Sequence, residues 1–391
     1  MNKITEKIKK IVESNRNLTN VASGDFISNV VGALFWLYIA VLLTPEEYGE
    51  VSFLVSVAAF ASTLSMVGAY NSIVVLTSKN VKIQATINFI SSCVGIVSGI
   101  IVFSIVDKIE VGLLIFAYIF TNLVIPEFIG KKDYSGYFRF SIIAKVLSVV
   151  SSLVLFYFIG HIGIVIGLST PLFLYGIKIF QSFRSMKIDF RLIKENYRFM
   201  ASNYLLNISD SVSGSLDKII IVPILGFAVL GSYQLGLQFF GILMVVPGIV
   251  YKITLPDDAR GNPNSKLKFI TISFSTIIGI VSFFIIPIII PILNSAYNDS
   301  ILPIQIIAIS VIPGTVASMY WSKFVGHEKN KVTLGGSGLY GGSLIILIIF
   351  LGQNFEELGV ALGFLISHSL TMLYFIFCNY FFGKEIGEKN E

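Results

Sequence analysis

Apolar stretches of about 20 residues alternate with short polar connections along the whole chain. An α-helix of that length crosses the ~30 Å hydrocarbon core of a bilayer. The strands of a membrane barrel would be shorter and would alternate polar with apolar residues, unlike these stretches. The pattern therefore predicts an all-α, polytopic membrane protein with about twelve transmembrane helices. The predicted spans are 19–43, 50–77, 85–106, 111–129, 140–159, 163–183, 199–224, 230–252, 269–292, 301–322, 334–352 and 357–382.

Basic residues concentrate in every second connection. Lys131, Lys132 and Arg139 follow the fourth span, and similar groups lie before the first span and after the other even-numbered spans. The opposite connections contain acids and a single base, Lys108. Because basic connections stay on the cytoplasmic side, we expect both termini to be cytoplasmic in a protein of the cell membrane.

Composition agrees with a membrane location and argues against several functions. The chain is 54% hydrophobic and 13% charged, whereas a soluble domain is roughly 25% charged. The net charge of +5 lies at the inner leaflet and indicates contact with anionic membrane lipids, not with nucleic acid. No connection is long enough to fold as a soluble domain, and no catalytic, cofactor or metal-binding motif occurs. The sequence therefore predicts no enzyme.

The two halves of the chain resemble each other. Residues 43–53 (LTPEEYGEVSF) and 225–235 (LGFAVLGSYQL) each open a span, and their glycines Gly49 and Gly231 take the same place, 182 positions apart. Two six-span halves around a central site are common in secondary transporters. We predict a cytoplasmic amphipathic segment at 1–18, an N-lobe at 19–190, a C-lobe at 191–383 and a cytoplasmic tail at 384–391. A central cavity is expected between the lobes.

The seventh span contains a stripe of polar side chains. Their spacing of three or four residues places them on one face of a regular helix. The carboxylates of this stripe cannot face lipid, because a charge at the bilayer centre costs at least ~2.5–3.5 kcal/mol. We predict that the stripe lines a water-filled lumen for substrate or an ion; the alternative is a hydrogen-bonded seam that joins the two halves. The predicted lumen residues are Asn203, Asn207, Asp210, Ser213 and Asp217, with Lys218 next to them and Asp25 in the first span.

Three other ionisable residues inside spans are weaker lumen candidates. Lys145 and Lys178 lie near cytoplasmic ends, where a long side chain can also reach the headgroups. His368 is the one histidine inside a predicted span. It is either a proton-linked group or a packing residue.

Several local stretches resemble those of a known family. They are Leu43-Thr44-Pro45-Glu46-Glu47-Tyr48-Gly49, residues 190–195 (FRLIKE), Asp217-Lys218-Ile219-Ile220-Ile221, Leu225-Gly226 and Gly231-Ser232-Tyr233. The chain resembles the polysaccharide biosynthesis proteins, which are Wzx-type flippases for lipid-linked oligosaccharides. Their superfamily, the multidrug/oligosaccharidyl-lipid/polysaccharide exporters, also contains multidrug exporters and the lipid II flippase.

The resemblance implies two six-helix lobes around a cavity that opens to each face in turn. The implied cargo is an oligosaccharide on polyprenyl (pyro)phosphate, moved from the inner to the outer leaflet, with glycan-assembly enzymes as further partners. Similar flippases commonly place cationic residues in the cavity, whereas the predicted cavity residues here are mostly acidic. We therefore also consider Asp25, Asp210 and Asp217 as a coupling site for Na⁺ or H⁺. No other cofactor is predicted.

Three alternatives remain open at this point. A cation-coupled multidrug exporter of the same superfamily would suit the acidic stripe. A membrane-embedded glycan polymerase or transferase would usually have a large outer loop, which this chain lacks. A scaffold without transport activity in a glycan-assembly complex is the third.

Overall fold

The computed structural model describes residues 30–67 and 69–387, and no strand occurs in that part of the chain. The predicted segment 1–18, most of the first span and the last residues of the tail lie outside it. The helices are α1 (Val30–Leu42), α2 (Pro45–Ser65), α3 (Ala69–Ser78), α4 (Gln84–Val106), α5 (Ile109–Gly130), α6 (Tyr134–Ile159), α7 (His161–Ser169), α8 (Leu174–Ser185), α9 (Phe190–Ser211), α10 (Asp217–Leu225), α11 (Phe227–Leu243), α12 (Val245–Ala259), α13 (Ser265–Leu293), α14 (Ile301–Ile309), α15 (Val311–Gly326) and α16 (Asn330–Gly387). Two 3₁₀ turns, Thr170–Phe173 and Ser295–Ser300, and a π-helical segment, Val212–Leu216, connect some of them.

Many of these helices are long and apolar enough to cross a membrane. Eight pass this test in the described residues, or nine if α11 and α12, which are bent by 48° at their junction, count as one span. The longest, α16, is broken at Glu356, whose φ of 50° and ψ of −127° are not helical, so it supplies the last two predicted spans. The first predicted span corresponds to the short α1, and the seventh to α9, the π-helical segment and α10. The predicted all-α, polytopic membrane fold is confirmed.

Local sequence signals explain where several helices begin. Thr44 and Glu47 form a reciprocal capping box at α2: Thr44 N donates to Glu47 Oε2 (3.0 Å) and Glu47 N donates to Thr44 Oγ1 (3.3 Å). Pro45 then occupies the first helical position, where a missing N–H does no harm. Asp133 accepts a hydrogen bond from Gly136 N at α6, and Asn264 accepts one from Leu267 N at α13.

The helices form two compact units. The first contains residues 30–35 and 54–211, and the second contains residues 36–53 and 212–387. Helix α9 follows the predicted N-lobe 19–190 in sequence but lies in the first unit. Its Tyr204 hydroxyl donates to Leu64 O (2.9 Å), and its Ser211 hydroxyl donates to the Thr63 hydroxyl (2.9 Å).

In the first unit, small residues allow α6 and α7 to pack closely. Hydroxyls on α6 donate to backbone carbonyls of α7: Ser151 to Gly167 O at 2.6 Å, and Ser152 to Ile164 O at 3.1 Å. Small side chains at such a crossing let membrane helices approach, and the hydroxyl bonds add to the van der Waals contact. This serine-rich segment, which looks polar in an apolar span, is therefore a packing seam.

In the second unit, the starts of α2 and α11 meet at two glycines. A Cβ added to Gly49 would lie 1.8 Å from Phe227 O, and a Cβ added to Gly231 would lie 1.9 Å from Pro45 O. Each glycine therefore faces the first residue of the other helix. The repeat relates the two contacts to each other, because the offset of 182 positions matches Gly49 with Gly231 and Pro45 with Phe227. The match of Gly49 with Gly231 in the sequence repeat thus corresponds to a reciprocal contact in the structure.

Asn294 holds the end of α1 in the same unit. Its amide Nδ2 donates to Leu43 O (2.9 Å) and to Ala40 O (3.1 Å), carbonyls that have no partner inside α1. The core of this unit includes Ile221, Leu230 and Phe364, which are at most 3% exposed.

Candidate functional site

The seventh span is not one regular helix. Helix α9 ends at Ser211, the π-helical segment covers Val212–Leu216, and α10 begins at Asp217. A π-helical turn contains more residues than an α-helical turn, so it changes the direction in which the following side chains point. Such segments occur frequently at functional sites.

The structure places the residues of the predicted stripe in different surroundings. Asn203, which is 9% exposed, donates from Nδ2 to Phe199 O of its own helix (2.9 Å). Asn207 is partly buried. At Asp210 and Ser213 only the backbone is described, in α9 and in the π-helical segment. Asp25 lies outside the described residues.

Asp217 has the most complete polar surroundings of this set. It is 4% exposed, and the Tyr233 hydroxyl on α11 donates to its Oδ2 at 2.7 Å. Lys218 Nζ lies 3.4 Å from Asp217 Oδ1 and donates to Gly214 O at 2.7 Å. Lys218 thus contacts the acid next to it in sequence and a carbonyl of the π-helical segment. The carboxylate, the phenol and the ammonium form one buried polar group in the second unit.

His368 lies among aromatic rings of the same unit. The ring centroids of Phe364, Tyr340 and Phe240 lie 4.6, 4.7 and 5.1 Å from its own. Its Nε2 is buried without a hydrogen-bond partner in the described part of the chain. His368 therefore packs in an aromatic cluster that also contains Tyr233, since the rings of Tyr233 and Phe364 are 6.0 Å apart.

The two lysine candidates lie in the first unit. Lys145 Nζ is 3.1 Å from the place that a Cβ on Gly32 would occupy, so its ammonium lies against α1. Lys178 Nζ lies over the rings of Phe128 (5.7 Å) and Phe140 (5.8 Å). Lys178 also lines a cavity of about 350 Å³ together with the Glu127–Lys131 pair and Asp133.

A second buried ion pair lies near the end of α12. Asp258 is 0% exposed, and Lys268 Nζ contacts its two oxygens at 2.6 and 2.8 Å. The Ser322 hydroxyl donates to Asp258 Oδ2 at 2.5 Å. The sequence pattern placed Asp258 and Lys268 in a cytoplasmic connection and Ser322 in the span 301–322, and it did not identify the pair. No local signal could have found it, because its members come from α12, α13 and α15.

Among the described residues, no group of three His, Cys, Asp or Glu side chains comes together as a metal site. The chemistry that the site offers is therefore hydrogen bonding and charge: one buried carboxylate, a phenol and an ammonium, next to a backbone segment with altered helical geometry.

The fold is similar to that of solved membrane transporters. The lipid II flippase MurJ in an inward closed conformation matches with a TM-score of 0.68 and 14% identity, covering 91% of this chain and 86% of that one. A multidrug resistance MATE family transporter of the MOP superfamily, in an inward-facing conformation, matches with a TM-score of 0.66 and 11% identity, covering 96% and 100%. A MOP superfamily transporter from Pyrococcus furiosus, described as having a binding pocket of reverse polarity, matches with a TM-score of 0.58 and 13% identity, covering 96% of each chain.

No protein-family model and no curated protein sequence matches the chain. At these identities the structural likeness establishes the fold. The chain is a multi-pass membrane protein with the fold of the MOP-superfamily transporters.

Proposed function

We propose that this protein is a flippase that moves an oligosaccharide on a polyprenyl (pyro)phosphate from the cytoplasmic to the outer leaflet by alternating access. The observation that carries the proposal is the fold, which matches a lipid II flippase with a TM-score of 0.68 over 91% of the chain. The sequence resemblance to Wzx-type flippases points to the same class of cargo. The basic connections support an orientation with both termini in the cytoplasm, in the cell membrane, where glycan-assembly enzymes would supply the substrate.

The free-energy cost of moving this polar headgroup through lipid explains why such a protein is needed. Each hydroxyl taken into an apolar medium without a hydrogen bond costs ~2–7 kcal/mol, and an oligosaccharide has many. The phosphate adds a charge that lipid does not solvate. A polar passage for the headgroup removes this barrier while the polyprenyl tail stays in the bilayer.

Transport of this kind needs an energy source, and we assign the coupling role to Asp25, Asp210 and Asp217 with Na⁺ or H⁺ as the ion. The support comes from Asp217, a buried carboxylate inside a membrane-spanning segment and directly after a π-helical turn. Ionisable residues at such positions are usually functional. Asn203, Asn207, Ser213 and Lys218 would line the passage near it.

Cation-coupled export of amphipathic drugs is the second candidate function. It is favoured by the match to a MATE family transporter, which covers 96% of this chain and all of that one. The carboxylate of Asp217 would suit a cationic cargo as well as a coupling ion.

The test is reconstitution of the full chain into proteoliposomes with a fluorescent polyprenyl-pyrophosphate oligosaccharide. Flipping exposes the fluorophore to an impermeant quencher, and the rate is measured with and without a Na⁺ or H⁺ gradient. We expect protein-dependent flipping that Asp217→Asn and Asp210→Asn abolish under a gradient. Asp189→Asn, at a partly exposed carboxylate that lies in the connection before α9 and pairs with Arg191, is the matched control and should leave the rate unchanged.

Each result decides between the candidates. Gradient-driven uptake of a cationic dye without lipid flipping would replace the flippase by the drug exporter. Full gradient-driven flipping by Asp217→Asn would remove the coupling role but keep the flippase. No transport of either substrate would overturn the proposed function.

A further inference from the structure

We propose that a cavity in the second unit, formed where α13, α15 and the end of α16 meet, binds the phosphate group of an anionic membrane lipid. The cavity measures about 270 Å³. Its polar wall contains Lys268, Lys323, Asn379 and Tyr320, and its apolar wall contains Phe269 and Ile272. This site is separate from the Asp217 group and does not depend on the proposed function.

Lys323 is the central cation of the polar wall. Its Nζ donates to Asn379 Oδ1 at 2.7 Å, so its partner is a neutral amide and its charge is not cancelled there. An ammonium has three N–H donors, and this bond uses one of them. The remaining donors, together with the Asn379 amide NH₂ and the Tyr320 hydroxyl, suit the several acceptor oxygens of a phosphate.

Lys268 adds a second positive group in a fixed place. Its ammonium donates to both oxygens of Asp258 and to Met319 O (3.3 Å). Lys268 lines the cavity, whereas Asp258 is 0% exposed and does not. Lys268 therefore places its ammonium at the cavity with its three N–H donors already used, so it adds charge without a free donor, and its pair with Asp258 fixes the positions of α12 and α13.

The apolar wall indicates that the phosphate belongs to a lipid. Phe269 is 71% exposed, and the exposed side chains Ile277, Ile280, Phe284 and Ile288 continue along α13. Such a surface on a membrane-spanning helix faces acyl chains. A lipid can place its headgroup on Lys323 and Asn379 and its chains along α13.

The predicted orientation puts this cavity at the correct leaflet. Lys268 and Lys323 belong to the basic connections that the charge pattern assigns to the cytoplasmic side. Anionic lipids are enriched in that leaflet and attract basic residues close to its surface. The cavity differs from a simple basic patch because one of its lysines is held by a buried carboxylate and the other by an amide.

The proposal is tested on the purified full chain by native mass spectrometry. The protein is titrated with phosphatidylglycerol, and with phosphatidylcholine as the neutral reference. We expect saturable retention of phosphatidylglycerol over phosphatidylcholine, and about tenfold weaker retention after Lys323→Gln, the loss expected for one charge-assisted hydrogen bond. Lys266→Gln is the matched control, because Lys266 is exposed, lies near Lys268 in sequence and does not line the cavity.

Asn379→Leu is the second variant, and it should also weaken phosphatidylglycerol retention without changing phosphatidylcholine retention. Each variant must elute as the wild type does and keep its helical circular dichroism. A parallel titration with inorganic phosphate separates the two sources of phosphate. Equal losses in Lys323→Gln and Lys266→Gln, or unchanged phosphatidylglycerol retention in both cavity variants, would overturn the site. Inorganic phosphate binding that Lys323→Gln removes, with lipid retention unchanged, would assign the cavity to a soluble phosphate compound and refute the lipid.

Discussion

Ion pairs occupy different surroundings in the two compact units. In the first unit, the Glu127–Lys131 and Asp189–Arg191 pairs use cations whose side chains are 50% and 85% exposed. In the second unit, the side chains of Asp217 and Asp258 are 6% and 0% exposed, and the side chains of their lysine partners are 14% and 13% exposed. Exposed pairs add little to stability, whereas breaking a buried pair leaves an uncompensated charge. These ion pairs of the second unit are thus more deeply buried than those of the first.

The two sequence repeats also differ in the polarity of matched buried positions. The offset of 182 positions that matches Gly49 with Gly231 also matches Phe35 with Asp217 and Val51 with Tyr233. Counted over the whole residue, all four are at most 4% exposed. The first repeat therefore places two apolar residues where the second places a hydrogen-bonded carboxylate and phenol. The proposed coupling role of Asp217 would give this difference between the repeats a functional reason.

The largest loss of folding stability is expected for Lys268→Met. The change leaves the carboxylate of Asp258 buried with only hydroxyl partners, and such losses cost about 3–5 kcal/mol. We expect a clearly lower thermal unfolding midpoint for the purified protein in detergent. Glu127→Gln, which breaks an ion pair of the first unit, is the control and should change the unfolding free energy by about 1 kcal/mol or less. Equal shifts in the two variants would contradict the contrast between the units.

The next largest loss of folding stability is expected at the contact between the starts of α2 and α11. Gly49→Ala and Gly231→Ala each bring a methyl group to within 2 Å of a backbone carbonyl oxygen, which no side-chain rotation can relieve. Overpacking of this kind costs about 3 kcal/mol at the upper end of its usual range. Because the contact is reciprocal, the two variants should shift the unfolding midpoint by similar amounts, and the double variant by less than their sum. Gly214→Ala, where an added Cβ meets nothing within 4 Å, is the control. A large effect in only one of the two variants would show that the repeats are not equivalent here.

A smaller effect is expected for Tyr233→Phe. It removes the hydroxyl that donates to Asp217 Oδ2, and a hydrogen bond to a buried charge contributes about 2 kcal/mol. The double variant Asp217→Leu/Tyr233→Phe gives the second repeat an apolar pair like that of the first. It should be more stable than Tyr233→Phe alone, since no buried carboxylate is left without the phenol, and Lys218 Nζ keeps its hydrogen bond to Gly214 O. The stability of both variants is measured by thermal unfolding. In the double variant, gradient-driven transport should also be lost. A double variant that retains full coupled transport would refute a functional reason for the polar pair.

The smallest effect is expected from the exposed pair of the first unit. Hydrogen bonds from the Arg191 side chain and backbone lower the pKa of Asp189 below its ordinary value of 3.8. A lowered folded-state pKa gives stability that is present above the unfolded-state pKa and is lost as the pH falls through the folded-state value. We therefore expect Asp189→Asn and the wild type to differ slightly in stability above pH ~4, and this difference to disappear as the pH falls below the lowered folded-state pKa of Asp189. If the difference in stability between Asp189→Asn and the wild type grew as the pH fell, the expected direction of the pKa shift would be wrong.

Much of the fold was accessible from the sequence because it depends on local composition. In the described residues the predicted spans fall on helical segments, although several of them are divided, as 50–77 is between α2 and α3. The predicted gap between the last two spans falls at the break in α16 at Glu356. The candidate site was accessible only in part. Asp217 could be singled out because a carboxylate in an apolar span is conspicuous, but the spacing rule assumed a regular helix through Val212–Leu216, where the structure has a π-helical turn.

The sequence by itself determined the all-α, multi-pass membrane class and the repeat that matches Gly49 with Gly231, because lipid selects long apolar helices whatever their tertiary packing. Only the tertiary structure decided that Tyr233 is the partner of Asp217, and that Asp258, Lys268 and Ser322 meet. Those partners come from different helices, and the meeting of their side chains depends on how the helices pack, which no local pattern records.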